Sequence, residues 1–164
     1  MKQLMKIAFI IPGDIETPTG GYRYAKNILR QWDNTGQASK TFVLGGNYPF
    51  PDAASRESAM KLLEEILNWA DVIVIDGLAG GALPEFVGAM ADKKPVVALV
   101  HHPLCLENGL SEAQAQSLRI SEYNALNQVN AVIAPRPVTA TAVTTRCVAQ
   151  AKMTALMAVL TTTC

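Results

Sequence analysis

Three short segments of this 164-residue chain contain residue types that could bind or transform a ligand. Paired glycines let backbone N–H groups approach an anion closely at the start of a helix. A carboxylate can accept hydrogen bonds from sugar hydroxyls, and a histidine changes its charge near neutral pH. The seven candidate substrate-binding residues in these segments are Gly20, Gly21, Tyr22, Asp76, Gly77, His101 and His102.

Each candidate also has a structural explanation. A glycine pair serves a tight turn that needs positive φ. Asp76 could cap the glycine-rich turn that follows it. The two histidines could stabilise a loop and face solvent, and no third ligand at useful spacing accompanies them, so no metal site is predicted. These alternatives stay open at the level of the sequence, and no catalytic residue is assigned.

Two common phosphate-binding motifs are absent. The segment after the first apolar run lacks the GxGxxG pattern of dinucleotide-binding proteins, and no GxxxxGK[ST] pattern occurs in the chain. A nicotinamide-dependent enzyme and a P-loop NTPase are therefore disfavoured.

The residues that must position these segments form alternating apolar runs and helical patterns. Several runs are apolar at nearly every position, which is typical of parallel strands covered on both faces. The five predicted strands cover 6–11, 41–44, 71–75, 95–100 and 131–134. Helical periodicity follows in 24–32 and 59–70, Pro84 suits a first helical turn, and Ser111 with Gln114 predicts a capping box.

This order predicts an α/β fold, a doubly wound parallel sheet of about five strands that is Rossmann-like and forms a single domain. In such sheets ligands bind outside the carboxyl ends of the strands. We therefore expect the segments 12–22, 76–81 and 101–103 to converge on one crevice.

Composition narrows the class of protein further. Apolar residues make up 49% of the chain, charged residues 17%, and the formal net charge is zero. This balance is not that of a disordered chain, and it lacks the basic excess typical of nucleic-acid binding. No apolar run approaches the roughly 18 residues of a membrane span, and three widely spaced cysteines suggest reduced thiols. The sequence predicts a soluble cytoplasmic protein, with contact to a membrane surface left open.

Glu122 stands out on the last predicted helix because it lies four residues after Leu118, near the apolar stripe. A carboxylate at such a position is costly unless it is paired. Arg119, three residues earlier, is the favoured partner for a surface ion pair.

The last 30 residues differ from the rest. Residues 135–164 contain no Asp or Glu, but they hold two of the three cysteines and most of the threonines. We therefore divide the chain into a domain at 1–134 and an atypical tail at 135–164. A poorly ordered terminus and a segment encoded after loss of the original reading frame both explain such a tail. An exposed tail of this composition would promote self-association.

Three segments together resemble the amino-terminal half of nucleotide-sugar-dependent glycosyltransferases of the GT-B type. They are Met5 to Ile11 followed by Pro18-Thr19-Gly20-Gly21-Tyr22-Arg23-Tyr24, then Asp76 to Pro84, and, as the most specific, Pro95 to Leu104 with its two histidines. The similarity covers about residues 5 to 134.

The resemblance implies a protein of two Rossmann-like domains, of which this chain has the acceptor-side one. It implies a nucleotide sugar as co-substrate, no tightly bound cofactor, and a sugar or glycan acceptor as partner. It places Gly20-Gly21 beside the donor diphosphate, and His101 or His102 against the transferred sugar or the acceptor. The donor-binding half has no counterpart in these 164 residues, so we expect the chain to be inactive alone.

A binding module with a flavodoxin-like sheet, such as a phospho-acceptor receiver domain, is the competing class. Asp14 and Asp76, each after a strand, would suit its acidic pocket. Such a pocket also needs a second acid beside Asp14, where the chain has Gly13, and a lysine after the fifth strand, where it has Pro135-Arg136-Pro137.

Overall fold

A computed structural model describes residues 5–134. The predicted tail at 135–164, with the Pro135-Arg136-Pro137 segment, lies outside the described residues. The elements follow the predicted alternation: β1 (Ile7–Pro12), α1 (Gly20–Thr35), β2 (Ser39–Leu44), α2 (Ala53–Trp69), β3 (Val72–Asp76), α3 (Gly77–Ala82), α4 (Pro84–Ala91), β4 (Val96–Leu99), a 3-10 helix (Leu104–Leu106), α5 (Glu112–Gln128) and β5 (Ala131–Ile133).

The strands form one parallel sheet in the order β2-β1-β3-β4-β5. In β1, Ile7 pairs with Ser39 of β2 on one side and with Val72 of β3 on the other. Because the chain leaves β1 for β2 and then returns to place β3 on the opposite side, the topological switch point lies between β1 and β3. The predicted α/β class and parallel sheet are confirmed.

Helices cover both faces of this sheet, which is why the central strands β1, β3 and β4 are apolar at nearly every position. Phe9 of β1 packs toward α1 in one buried cluster with Ala25. Its neighbour Ile10 points to the opposite face, in a cluster that includes Ile66 of α2 and Phe86 of α4. All five of these side chains are fully buried.

Local sequence signals set several helix starts. Thr19 caps α1 by accepting a hydrogen bond from the Tyr22 amide at 3.2 Å. The predicted capping box opens α5, since Ser111 and Gln114 exchange hydrogen bonds of 2.9 and 3.2 Å. Pro84 stands in the first turn of α4, as predicted.

The expected glycine-rich turn after β3 is instead the six-residue helix α3. Asp76 caps it, because its Oδ1 accepts from the Leu78 amide at 2.9 Å. A Cβ on Gly77 would lie 2.9 Å from the Leu99 carbonyl oxygen, and one on Gly81 would lie 2.7 Å from Leu104 Cδ1. The glycines therefore serve close packing of a helix, which the sequence pattern did not reveal.

Within residues 5–134, none of the helices has the length and apolar character that crossing a membrane requires.

Candidate functional site

A cleft of about 540 Å3 opens at the carboxyl ends of β1, β3 and β4. The loop after β1 and the start of α1 form one wall, the start of α3 forms the floor, and the segment after β4 forms the other wall. The three segments 12–22, 76–81 and 101–103 therefore meet at one crevice, next to the switch point of the sheet.

Five of the seven candidate residues line this cleft: Gly21, Tyr22, Asp76, His101 and His102. Gly20 does not, because it is exposed on the first turn of α1 with no heavy atom within 4 Å of a Cβ built on it. Gly77 is buried against Leu99 and Val100 and does not line the cleft either. The structure thus gives Gly77 a packing role.

His101 lies directly against the start of α1. A Cβ added to Gly21 would come within 3.3 Å of His101 Cδ2, so a side chain at this position would press against the imidazole. The Tyr24 ring meets the same imidazole edge to face, with 5.5 Å between ring centroids. Gly21 therefore allows a close approach of the histidine to the helix terminus.

Asp76 lies beneath His101 and is only 4% exposed. Its Oδ2 is 3.6 Å from His101 Nε2, which is too long for a hydrogen bond but close enough for charge interaction. Burial raises the pKa of Asp76, while the Leu78 amide and the nearby His101 act to lower it. Among the described residues His101 Nε2 is buried without a hydrogen-bond partner, so a ligand atom could satisfy it.

Tyr22 connects the first loop to the cleft. Its hydroxyl donates a hydrogen bond to the Pro12 carbonyl oxygen. Burial raises the pKa of Tyr22, and the carboxylates of Asp76 and Asp14 raise it further because they disfavour a second negative charge. The phenol is therefore a neutral donor at physiological pH, in a region of negative potential.

Sequence reasoning missed the contribution of Leu104 and Glu107, which complete the wall beyond the histidines. They belong to a tight turn in which the Glu107 amide donates to the Leu104 carbonyl at 3.2 Å and the Leu106 amide donates to the Pro103 carbonyl at 3.0 Å. Pro103 was the available signal for this turn, but one proline does not specify a 3-10 helix.

The expected surface pair between Arg119 and Glu122 is wrong. Glu122 is 1% exposed, and its Oε2 accepts a hydrogen bond from the Leu104 amide at 3.1 Å. Arg119 donates instead to Gln116 Oε1 at 3.1 Å. The inward direction of Glu122 follows from its place on the buried face of α5 with Leu118 and Ala125.

The chemistry that this arrangement allows is hydrogen bonding and proton transfer. The cleft offers hydroxyl, imidazole and carboxyl groups at the end of a 16-residue helix whose amino terminus favours negative charge. Among residues 5–134, no three His, Cys, Asp or Glu side chains cluster closely enough to hold a metal ion.

The chain matches no known protein family, and no curated protein matches it. Among solved structures, it is similar to the crystal structure of a conserved protein from Enterococcus faecalis V583. The two share 14% identity over 80% of this chain and 92% of that chain, with a TM-score of 0.43. At this level of similarity, nothing about function follows.

Proposed function

We propose that residues 5–134 form the acceptor-side half of the active site of a nucleotide-sugar-dependent glycosyltransferase of the GT-B type. The observation that carries this proposal is the packing of His101 against Gly21, with Asp76 beneath it, in a cleft at the switch point of the sheet. In this proposal His101 and His102 contact the transferred sugar or the acceptor, and the Gly20-Gly21 segment lies beside the donor diphosphate.

Charge in the cleft explains why this half would need a second domain. Among the described residues that line the cleft, the acidic ones are Asp14, Asp76 and Glu107, and none is a lysine or arginine. The dipole of α1 supplies only a partial positive charge. The negative charge of a donor diphosphate would therefore have to be neutralised by groups outside residues 5–134, from a donor-binding domain. Catalysis would then consist of positioning and electrostatic stabilisation across the assembled cleft.

The experiment is a nuclear magnetic resonance titration of the full 164-residue chain with methyl α-glucoside, a panel of related methyl glycosides, and UDP-glucose. We expect glycosides to shift the signals of Gly21, Tyr22 and His101, and His101→Ala to abolish these shifts. Trp69, which packs against Phe42 away from the cleft, serves as an internal control. We expect nucleotide sugars to bind no more tightly than millimolar, with no glycosyl transfer by the chain alone.

Two results would count against the proposal. If none of the glycosides shifts a signal of the cleft residues, the proposed function loses its support. Transfer or hydrolysis of a common nucleotide sugar by the purified chain, lost in His101→Ala, would show that the described cleft is a complete active site and not one half.

The competing function is a phospho-acceptor receiver module. It is favoured by the strand order β2-β1-β3-β4-β5, which flavodoxin-like receiver domains also have, and by the presence of both Asp14 and Asp76 in the cleft. Incubation with acetyl phosphate and Mg2+, followed by intact mass measurement, tests it. A phosphoryl adduct that is lost in Asp76→Asn would favour the receiver over the glycosyltransferase.

A further inference from the structure

Glu122 stands out among the buried groups outside the cleft because it is a carboxyl group in an almost fully enclosed position. It is 1% exposed, and within residues 5–134 its Oε1 is buried without a hydrogen-bond partner. A site that served packing alone would be cheaper to fill with an apolar side chain, because a buried carboxyl group loses its hydration. The position of Glu122 therefore calls for an explanation beyond packing.

A hydrogen bond of this carboxyl group reaches the wall of the cleft. Glu122 Oε2 accepts from the Leu104 amide at 3.1 Å. Leu104 starts the 3-10 helix, which lies between His102 and Glu107, two residues that line the cleft. The turn is internally rigid because the Leu106 amide bonds to the Pro103 carbonyl and the Glu107 amide to the Leu104 carbonyl.

A second contact between α5 and α3 lies next to the hydrogen bond between Glu122 and Leu104. Ser121, its neighbour on α5, donates a hydrogen bond of 2.7 Å to the Gly81 carbonyl oxygen of α3. Gly81 has no room for a side chain, since its Cβ would lie 2.7 Å from Leu104 Cδ1 and 3.3 Å from Glu122 Cβ. Leu104 is therefore packed between helices α5 and α3.

We propose that Glu122 is a positioning residue, which sets the placement of the histidine-bearing segment 101–107 by holding the Leu104 backbone through its carboxyl group. This inference concerns the geometry of the cleft and is independent of the ligand that the cleft binds. Loss of glycoside binding would overturn the proposed function and leave this inference intact.

The protonation of Glu122 supplies a measurable signature. Its pKa is raised to about 7, chiefly by burial; the hydrogen bond from the Leu104 amide acts to lower this pKa, and the negative charge of Glu107 acts to raise it. The facing part of α3 is made of glycine, alanine and leucine and adds no titratable group. An ionised carboxylate binds an amide more strongly than a neutral one, so the Leu104 amide signal will follow this titration.

The test compares Glu122→Gln, Glu122→Leu and the exposed control Glu64→Gln on α2. Glutamine keeps an acceptor for the Leu104 amide but does not titrate, whereas leucine removes the acceptor. We expect hydrogen exchange of the Leu104 amide to rise at least about tenfold in Glu122→Leu. In that variant we also expect the nuclear Overhauser contact between the His101 ring and Gly21 to weaken.

In the unmodified chain and in Glu64→Gln, the Leu104 amide shift should titrate with a midpoint near the Glu122 pKa of about 7. In Glu122→Gln this transition should disappear, because glutamine does not titrate. A Leu104 transition that persists unchanged in Glu122→Gln would overturn the proposal, and so would a folded Glu122→Leu with unchanged Leu104 exchange and His101 contacts. If Glu122→Leu does not fold, the Leu104 amide titration in Glu122→Gln decides whether the proposal stands.

Discussion

The imidazole of His101 packs closely against Gly21, and a Cβ at Gly21 would lie only 3.3 Å from His101 Cδ2, tighter than an ordinary van der Waals contact. The residues are 80 positions apart in the chain, yet each follows a strand that ends at the same edge of the sheet. This contact joins the start of α1 to the segment after β4, and both residues line the cleft.

Gly21→Ala should displace His101, and Gly20→Ala should not. Both residues lie in the first turn of α1, so the change in helix propensity from glycine to alanine is similar at the two positions. Only the methyl group at Gly21 meets the imidazole, whereas that at Gly20 meets nothing within 4 Å. We expect Gly21→Ala to be less stable than Gly20→Ala by about 1 kcal/mol in thermal unfolding, with altered His101 ring signals. Equal stability and unchanged histidine signals would contradict the contact.

Asp76→Asn should lower the pKa of Tyr22 without unfolding α3. Asparagine still caps a helix, so the hydrogen bond to the Leu78 amide can persist. Removing the Asp76 charge takes away one of the two carboxylates that raise the pKa of Tyr22, but burial, the largest cause, remains. The pKa should therefore fall and stay above its ordinary value of 10.0. Titration of 13C-labelled tyrosine measures it, with Asp33→Asn at the far end of α1 as the control that should leave it unchanged.

Glu122 should make the domain less stable as pH rises toward neutrality. Its pKa is about 7 in the folded chain against an ordinary value of 4.5, so between these values the folded state holds a proton that the unfolded state has lost. The free energy of unfolding then falls across this window, by on the order of 3 kcal/mol, and levels off above it.

Urea unfolding of the unmodified chain and of Glu122→Gln between pH 4.5 and 8 measures this effect. The raised pKa of Asp76 acts in the same direction in both proteins, so their difference isolates Glu122. Parallel stability curves for the two proteins would show that the carboxyl group is not protonated in the folded state at these pH values.

Gly77→Ala should destabilise the domain by about 1–3 kcal/mol. A Cβ at this position would lie 2.9 Å from the Leu99 carbonyl oxygen and 3.1 Å from Val100 Cα, so a backbone would have to move. Gly45→Ala is the matched control, because nothing lies within 4 Å of its Cβ. Melting temperatures compare the two, and a Gly77→Ala melt equal to that of Gly45→Ala would contradict the packing role.

The sequence by itself determined the features that depend on neighbours along the chain. The runs of apolar residues identified the five strands, and Ser111 with Gln114 identified the start of α5, because periodicity and capping act over a few residues. The meeting of the three loops also followed from the sequence, since parallel strands all present their carboxyl ends at one edge.

Only the tertiary structure decided which of the candidate residues reach the cleft and which serve packing. Gly21 and Gly77 both lie in the first turn of a helix, but the first meets His101 and the second meets the backbone at Leu99 and Val100. The partner of Glu122 was likewise beyond local pattern, because the Leu104 amide is 18 residues away in a turn that the sequence did not predict. Contacts between distant segments depend on how helices lie on the sheet, and that placement is set by the packing of the whole domain.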